Sequence, residues 1–154
     1  MRVLSRIGAF IAISLTLLLV EGVAQNKAAR PERELFDATN RERVAHGLPA
    51  LEWNDALADA ARKHASEMAQ KKALAHQFPG EPSLPSRVKL AGGRFVWLSE
   101  NVASGVSASL IHAEFLKSTN HRANILDRDM DSAGIGIAER NGQLFAVEDF
   151  SKAK

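Results

Sequence analysis

The stretch Ala133–Phe150, AGIGIAERNGQLFAVEDF, decides the fold of this chain. Two mostly apolar runs flank Asn141-Gly142, a dipeptide that favours a two-residue turn between antiparallel strands. In the hairpin that this predicts, Ile137 pairs with Ala146, and the next pair along the strands faces the other side of the sheet. Because apolar side chains then occupy both faces, we expect covering layers on both sides.

Glycine in the first strand of this hairpin predicts a close neighbour. Gly134 and Gly136 share one face and have no side chains, so another element can approach the strand there. The residues before the hairpin are mostly helical in pattern. Helices first and strands last indicate an α+β domain, and the sequence shows no internal repeat.

Two amphipathic helices are predicted in the first half of the chain. The first begins at Pro31, whose missing N–H is harmless in a first turn, and ends near His46 with Gly47 as its cap. Its predicted inner side comprises Leu35, Phe36, Thr39 and Val44. The second is capped by Asn54 and buries one face, where we expect His64 to be hydrogen-bonded. That face comprises Leu57, Ala61, His64, Ala65 and Met68.

The middle of the chain alternates short elements. A short helix is predicted between Ser83 and the glycine pair that follows it. Phe95–Leu98 has the aromatic and β-branched content of a strand, so Glu100 is expected just beyond the strand's end. A helix is predicted over Ser109–Ser118, which leaves His121 in the loop after it.

The N-terminus predicts export. Arg2 and Arg6 precede an uncharged apolar run over residues 7–20, and small residues lead to a cleavage site after Ala24. The run is shorter than the roughly 20 residues that span a bilayer, so we expect a cleaved signal peptide and no membrane span after cleavage. The predicted division is residues 1–24 as signal peptide, 25–30 as flexible leader and 31–154 as one domain. The expected location is extracellular or periplasmic.

Charge and cysteine content exclude several classes of protein. With 20 Lys and Arg against 18 Asp and Glu, the net charge is +2, and no basic cluster forms a footprint for nucleic acid. The chain has no Cys, so it folds without disulfides and uses neither thiol catalysis nor Cys-ligated zinc. It has no dinucleotide fingerprint, P-loop or nucleophile elbow, and no organic cofactor is expected.

Three residues are candidates for chemistry. His76 lies in an irregular, proline-rich segment, Glu100 follows the predicted strand, and His121 follows the predicted Ser109–Ser118 helix. Two imidazoles and a carboxylate in one pocket suit a divalent metal such as zinc, with His76 and His121 as ligands. They equally suit general acid–base chemistry with Glu100 as the catalytic group, and spacing alone leaves both interpretations open.

Six motifs occur in one order from Leu35 to Phe150. They are Thr39-Asn40-x-x-Arg43, Leu51-x-Trp53-Asn54 with the helix after it, Leu74-Ala75-His76, Ser99-Glu100-Asn101-Val102-Ala103, Phe115-x-x-Ser118-x-x-His121-Arg122-Ala123-Asn124-Ile125-Leu126 and Gly134-Ile135-Gly136. Together they resemble the CAP superfamily (SCP domain; cysteine-rich secretory, antigen 5 and pathogenesis-related proteins) in its bacterial secreted form.

The resemblance implies a three-layer α-β-α sandwich with a central antiparallel sheet. It also implies a cleft with two histidines and two acids, in which several members hold a divalent metal. By position, His76, Glu100 and His121 match three of these four residues. Ser118 stands where many members carry the second acid, and it replaces a carboxylate with an uncharged hydroxyl.

Three functions stay open at this point. The first is a secreted binding module whose cleft, tuned by metal, recognises a small ligand or an extracellular partner such as a lipid or a cell-envelope component. The second is a peptidase-like hydrolase in which His76 and His121 hold zinc and Glu100 activates water, although catalytic zinc usually has three protein ligands. The third is a buried hydrogen-bonded cluster that orders the loops, with function on the surface.

Overall fold

The elements of the chain follow the predicted order of helices and strands. The computed structural model describes residues 30–153, so the predicted signal peptide and most of the predicted leader lie outside the described residues. The elements are α1 (30–45), β1 (Glu52–Trp53), α2 (Asp55–Lys71), α3 (Leu84–Leu90), β2 (Trp97–Gly105), α4 (Ala108–Lys117), α5 (Thr119–Ile125), β3 (Ser132–Arg140) and β4 (Gln143–Lys152). No helix in this part of the chain combines the length and the apolar character needed to span a membrane.

β3 and β4 form the predicted hairpin. Ile137 pairs with Ala146, and Asn141 and Gly142 both have positive φ, as the two-residue turn requires. The sheet has the order β1-β3-β4-β2, in which β4 runs antiparallel to both neighbours. The two-residue β1 pairs parallel with β3, so the predicted α+β class is confirmed and the antiparallel sheet gains a short parallel edge.

α2 lies directly on the backbone of β3. A Cβ added to Gly134 would stand 2.0 Å from the backbone N of Ala58, and one added to Gly136 would stand 2.1 Å from that of Arg62. Only residues without side chains allow this approach, which confirms the predicted close neighbour. Asn54 caps α2 by accepting a hydrogen bond from the N–H three residues on, and the predicted inner face of the helix is buried.

The opposite face of the sheet packs against α1, α4 and α5. Buried side chains from these helices and from β3 and β4 form one apolar cluster, which includes Leu35, Ile111, Phe115, Ile125, Ile135 and Phe150. The sheet therefore carries a helical layer on each face, as the two-faced hairpin predicted.

α1 buries an arginine in place of a predicted valine. Val44, expected on the inner side, is 60% exposed, whereas the preceding Arg43 is 1% exposed. Arg43 satisfies its guanidinium with backbone carbonyl oxygens, and burial lowers the pKa of this group. The accepting carbonyls are those of Pro49 at 3.0 Å, Ile125 at 2.8 Å, Asp127 at 2.8 Å and Met130 at 3.1 Å. Arg43 thereby clamps α1 to the segment between α5 and β3.

Two predicted positions near the candidate site were wrong. β2 begins at Trp97 and continues to Gly105, so Glu100 lies inside the strand instead of beyond its end. Pairing along the whole length of β2 with β4 overrides the weak β-propensity of its Ser, Asn and Gly residues. His121 lies in α5 instead of a loop, because Ser118 ends α4 and also caps the next helix.

Candidate binding cleft

β2 places Glu100 beside the loop that carries His76. His76 Nδ1 donates to Glu100 Oε1 at 2.9 Å; the side chain of His76 is 63% exposed, and that of Glu100 only 4%. The hydrogen bond to Glu100 raises the pKa of His76, against partial burial, which lowers it. Because Nδ1 is held by a carboxylate, Nε2 is the ring nitrogen left for a ligand.

Arg87 of α3 takes the second oxygen of Glu100. Its Nη2 donates to Glu100 Oε2, while Nη1 donates to the carbonyl oxygens of His76 at 3.1 Å and Pro82 at 3.3 Å. Arg87 is buried, and its guanidinium fixes both the acid and the loop that carries His76. Sequence pattern alone misses this residue, because an arginine in a short helix resembles a solvated charge.

A chain of side-chain contacts continues from Arg87 to α2. Arg87 Nη1 lies 3.7 Å from Glu81 Oε1, and the same oxygen is 2.6 Å from His64 Nδ1. The other ring nitrogen of His64 faces the carbonyl oxygen of Ala75 at 2.7 Å. Both ring nitrogens of this fully buried histidine therefore contact oxygen atoms, and the predicted hydrogen-bonded role of His64 is confirmed.

Asp149 adds a fifth ionisable group to this network. It lies directly opposite Glu100 in the β2–β4 ladder and is fully buried. Among the described residues, no donor reaches either of its oxygens. Burial and then the Glu100 carboxylate raise the pKa of Asp149 well above its usual range. Arg87, which is paired with Glu100, opposes this shift without cancelling it.

His121 approaches the cleft from α5. Its ring packs edge-on against Phe115, with the ring centroids 5.1 Å apart, and its backbone carbonyl accepts from Asn101 Nδ2 at 3.1 Å. Burial and then the charge of His76 lower the pKa of His121. Ser118 Oγ accepts from the backbone N of His121 at 3.4 Å, so this hydroxyl serves as a helix cap.

A second buried acid holds α5 against the sheet. Glu148 Oε1 accepts from Thr39 Oγ1 at 2.6 Å, and Oε2 accepts from Asn101 Nδ2 at 3.1 Å. Asn124 of α5 donates to Asn101 Oδ1 at 2.8 Å and to the carbonyl oxygen of Glu100 at 3.3 Å. Burial raises the pKa of Glu148 to about 7, although both hydrogen bonds lower it. Two adjacent acids in the apolar strand VEDF are the sequence signal for this role.

The cleft residues fit a divalent ion only in part. Imidazole is a good zinc ligand, and the charge of His76 acts on His121. Within the described part of the chain, however, no group of three or more His, Cys, Asp or Glu side chains is arranged to hold a metal. Glu100 is engaged at both carboxylate oxygens. Two imidazoles without a third protein ligand do not fit a catalytic zinc site.

Solved structures share this fold. The chain is 26% identical to an extracellular protein containing a SCP domain from Bacillus anthracis, with a TM-score of 0.76 over 81% of this chain and 41% of that one. An outer surface protein from Borrelia burgdorferi has the same fold at a TM-score of 0.74 and 21% identity, over 81% of this chain and 94% of that one.

Two Bacillus subtilis proteins are similar in sequence. The uncharacterised membrane protein YlbC is 31% identical over 107 residues, which are 69% of this chain and 31% of YlbC. The uncharacterised protein YkwD is 28% identical over 130 residues, 84% of this chain and 50% of YkwD. The chain thus spans about a third and a half of these relatives. The profile of the CAP, or cysteine-rich secretory protein, family matches residues 36–150, and the chain belongs to that family.

Proposed function

We propose that this chain is a secreted binding module whose cleft at His76 and His121 holds a small ligand or a segment of an extracellular partner. The state of Glu100 carries the proposal. Its buried carboxylate accepts hydrogen bonds from Arg87 and His76, one at each oxygen. A general base needs an oxygen that can reach water or substrate, and both oxygens of Glu100 are occupied. Glu100 therefore orients His76, and the exposed imidazole recognises the ligand.

The secreted location is supported by two independent observations. Residues 1–24 have the pattern of a signal peptide. The similar structures from Bacillus anthracis and Borrelia burgdorferi are those of an extracellular protein and an outer surface protein. A ligand of the cleft is then met outside the cytoplasm, which favours extracellular small molecules, lipids or cell-envelope components.

The two imidazoles present different chemistry to a ligand. His76, with a raised pKa, carries positive charge more readily than a free histidine and then donates from Nε2, whereas in its neutral form Nε2 offers a lone pair. His121, with a lowered pKa, stays neutral and offers a lone pair. This pair suits a ligand that combines an acceptor with a donor, and it also suits a divalent ion that keeps water in its remaining positions.

Zinc titration tests whether the cleft recognises a ligand. Calorimetry compares the metal-stripped full chain with the His76→Ala/His121→Ala double variant and with His46→Ala, which removes a more than one-third exposed imidazole that contacts Arg122. We expect one zinc ion per wild-type chain, loss of binding in the double variant and unchanged binding in His46→Ala. A folded wild type that binds no zinc would remove the metal from the proposal.

Glu100→Gln separates a binding module from a hydrolase. The amide still accepts from His76 Nδ1 but orients the ring less firmly, so zinc affinity should fall by roughly tenfold. Peptide and ester substrates are incubated with wild type and variant in the presence of zinc. Hydrolysis by the wild type that disappears in Glu100→Gln would overturn the binding module in favour of a catalytic cleft.

Stability of the histidine variants separates binding from a structural cluster. Because the side chain of His76 is 63% exposed, His76→Ala should melt within a few degrees of wild type. His64→Ala, which opens a fully buried site, supplies the contrasting control. If His76→Ala destabilises the protein as severely as His64→Ala, the exposed histidine is structural and the proposed recognition fails.

A further inference from the structure

Exposed apolar side chains concentrate at the junction of α3 and β2. Among the described residues, seven large apolar side chains are exposed, and three of them lie between residues 90 and 97. Leu90 is 74% exposed, Val96 64% and Trp97 62%. We call residues 90–97 the connector. Single exposed apolar residues are ordinary, but a tryptophan and two aliphatic side chains in eight consecutive residues indicate contact with an apolar partner.

Contacts with the protein interior and with β4 fix the backbone of the connector and leave these side chains exposed. Phe95 packs against the buried cluster that contains Val88, and Lys89 Nζ lies 5.9 Å from the centre of the Phe95 ring. The backbone N of Val96 donates to the carbonyl oxygen of Lys152 at 2.8 Å. The exposed side chains are therefore presented by a fixed backbone, and a partner does not bear the entropy cost of ordering it.

The connector and the end of α3 that precedes it carry positive charge without matching acids. From Pro82 to Ser99 the sequence contains three basic residues and no Asp or Glu. Arg87 is neutralised inside the protein by Glu100, whereas Lys89 and Arg94 are exposed and form no ion pair with a described carboxylate. Nearby, Lys152 is paired with Asp131 at 3.2 Å and adds no net charge. A partner of this surface is therefore anionic as well as apolar.

We propose that the connector is a membrane-docking loop that binds bilayer surfaces rich in anionic lipid. Tryptophan favours the boundary between headgroups and acyl chains, aliphatic side chains enter the acyl region, and Lys89 and Arg94 meet the headgroup charges. A lipid surface is favoured over an acidic protein because the exposed tryptophan and aliphatic side chains call for an apolar phase beside the anionic charge. Two depressions of the described surface, around Lys72–Leu74 and along Arg41–Ala45, include no connector residue. This surface is independent of the proposed cleft function.

Tryptophan emission tests the docking directly. The chain has two tryptophans, so Trp53→Phe leaves Trp97 as the reporter in the full chain. Vesicles of phosphatidylcholine with phosphatidylglycerol should move the Trp97 emission to shorter wavelength and protect it from acrylamide, whereas vesicles of phosphatidylcholine alone should leave it nearly unchanged. Leu90→Ser/Val96→Ser should weaken partitioning by about tenfold or more.

Matched variants separate the connector from the rest of the chain. Val44→Ser/Leu110→Ser removes two other exposed apolar side chains and should partition like the parent. Lys89→Gln/Arg94→Gln leaves the apolar groups in place and should also weaken binding by roughly tenfold or more, with circular dichroism confirming the fold.

The following outcomes would overturn the proposal. Trp97 emission that does not respond to anionic vesicles, or equal partitioning by all variants, would assign any vesicle binding to the apolar run at residues 7–20. A response to polyglutamate without a response to vesicles would assign the connector to an acidic protein.

Inorganic phosphate alone should produce no shift, since it offers no apolar phase. Zinc titration of the Leu90→Ser/Val96→Ser variant should match wild type, which keeps failure here distinct from failure of the cleft.

Discussion

The two faces of the sheet hold buried acids in opposite ways. Glu148 and Asp149 are adjacent in β4, and both side chains are fully buried. Glu148 points toward α1 and accepts hydrogen bonds from the neutral donors of Thr39 and Asn101. Asp149 points toward α3, receives no hydrogen bond from a described donor, and faces the carboxylate of Glu100. Glu148 is held by hydrogen bonds from uncharged donors, whereas Asp149 lies opposite Glu100, which is paired with Arg87.

Two separate hydrogen-bond networks hold the segments that carry His121 and His76. The Glu148 network fixes α5, and with it His121, through uncharged amides and a hydroxyl. The network beside Asp149 fixes the His76 loop through Arg87 and Glu100. His76 and His121, the two histidines of the proposed cleft, are therefore positioned by different physical means, and changes on one face should disturb one histidine more than the other.

The largest expected effect comes from the close packing of α2 on the sheet. Gly136→Ala places a Cβ against the backbone N of Arg62, where neither element can yield without shifting. We expect a loss on the order of 4 kcal/mol or more in the free energy of unfolding, measured by urea denaturation. Gly105→Ala is the milder comparison, because its added Cβ would meet a side-chain carbon of Ile111 at 2.9 Å and the backbone N of Ile111 only at 3.9 Å. Equal losses in both variants would contradict the contact with α2.

The next largest loss of stability is expected when Arg87, the buried cation beside Glu100, is replaced. Arg87→Met removes the buried cation that pairs with Glu100 and lies 3.7 Å from Glu81, which should cost about 3–5 kcal/mol at pH 7 in the same assay. Lys89→Met, an exposed cation two residues on, should change stability by about 0.5 kcal/mol or less. Arg87→Met/Glu100→Gln should recover part of the loss. A single variant as stable as Lys89→Met would show that the charges are not coupled.

The dependence of stability on pH should reveal the raised pKa of Glu148. Burial raises the pKa of Glu148 from 4.5 to about 7, so its contribution favours the folded state below pH 4.5 and is lost as the pH rises to 7. Relative to Glu148→Gln, wild type should lose on the order of 3 kcal/mol across this window. Parallel curves for wild type and Glu148→Gln would contradict the raised pKa.

The smallest loss of stability is expected when Thr39, the uncharged donor to Glu148, is replaced. Thr39→Val preserves the shape of the side chain and removes the hydrogen bond to Glu148. Since a hydrogen bond to a charged group is stronger, we expect a loss of about 2 kcal/mol at pH 8 and about 1 kcal/mol at pH 5. A loss that is independent of pH would show that Glu148 keeps one protonation state throughout.

Local signals in the sequence account for the elements that were predicted correctly. Asn141-Gly142 sets the hairpin register because a two-residue turn leaves no freedom in strand pairing. Gly134 and Gly136 predicted the approach of α2 because only missing side chains permit it. The family motifs then identified His76 and Glu100, which the structure joins by a hydrogen bond.

Features that depend on distant partners were not predicted. Arg43 and Arg87 look like solvated charges until the carbonyls and the acid that satisfy them are brought together by the fold. The second helix after Ser118 was missed because one serine both ends α4 and begins α5. Charge burial and dual capping are decided by tertiary packing, and hydrophobic periodicity does not report either.

The Arg43 clamp gives this cysteine-free chain a redox-insensitive staple. Its hydrogen bonds to Ile125, Asp127 and Met130 join residues 82 to 87 positions apart, a separation at which secreted proteins commonly use a disulfide. No oxidant is needed to close this link, and no thiol can open it. The fold should consequently assemble without oxidative folding enzymes and persist in reducing surroundings, while strong denaturants, which compete for the same carbonyl oxygens, release it reversibly.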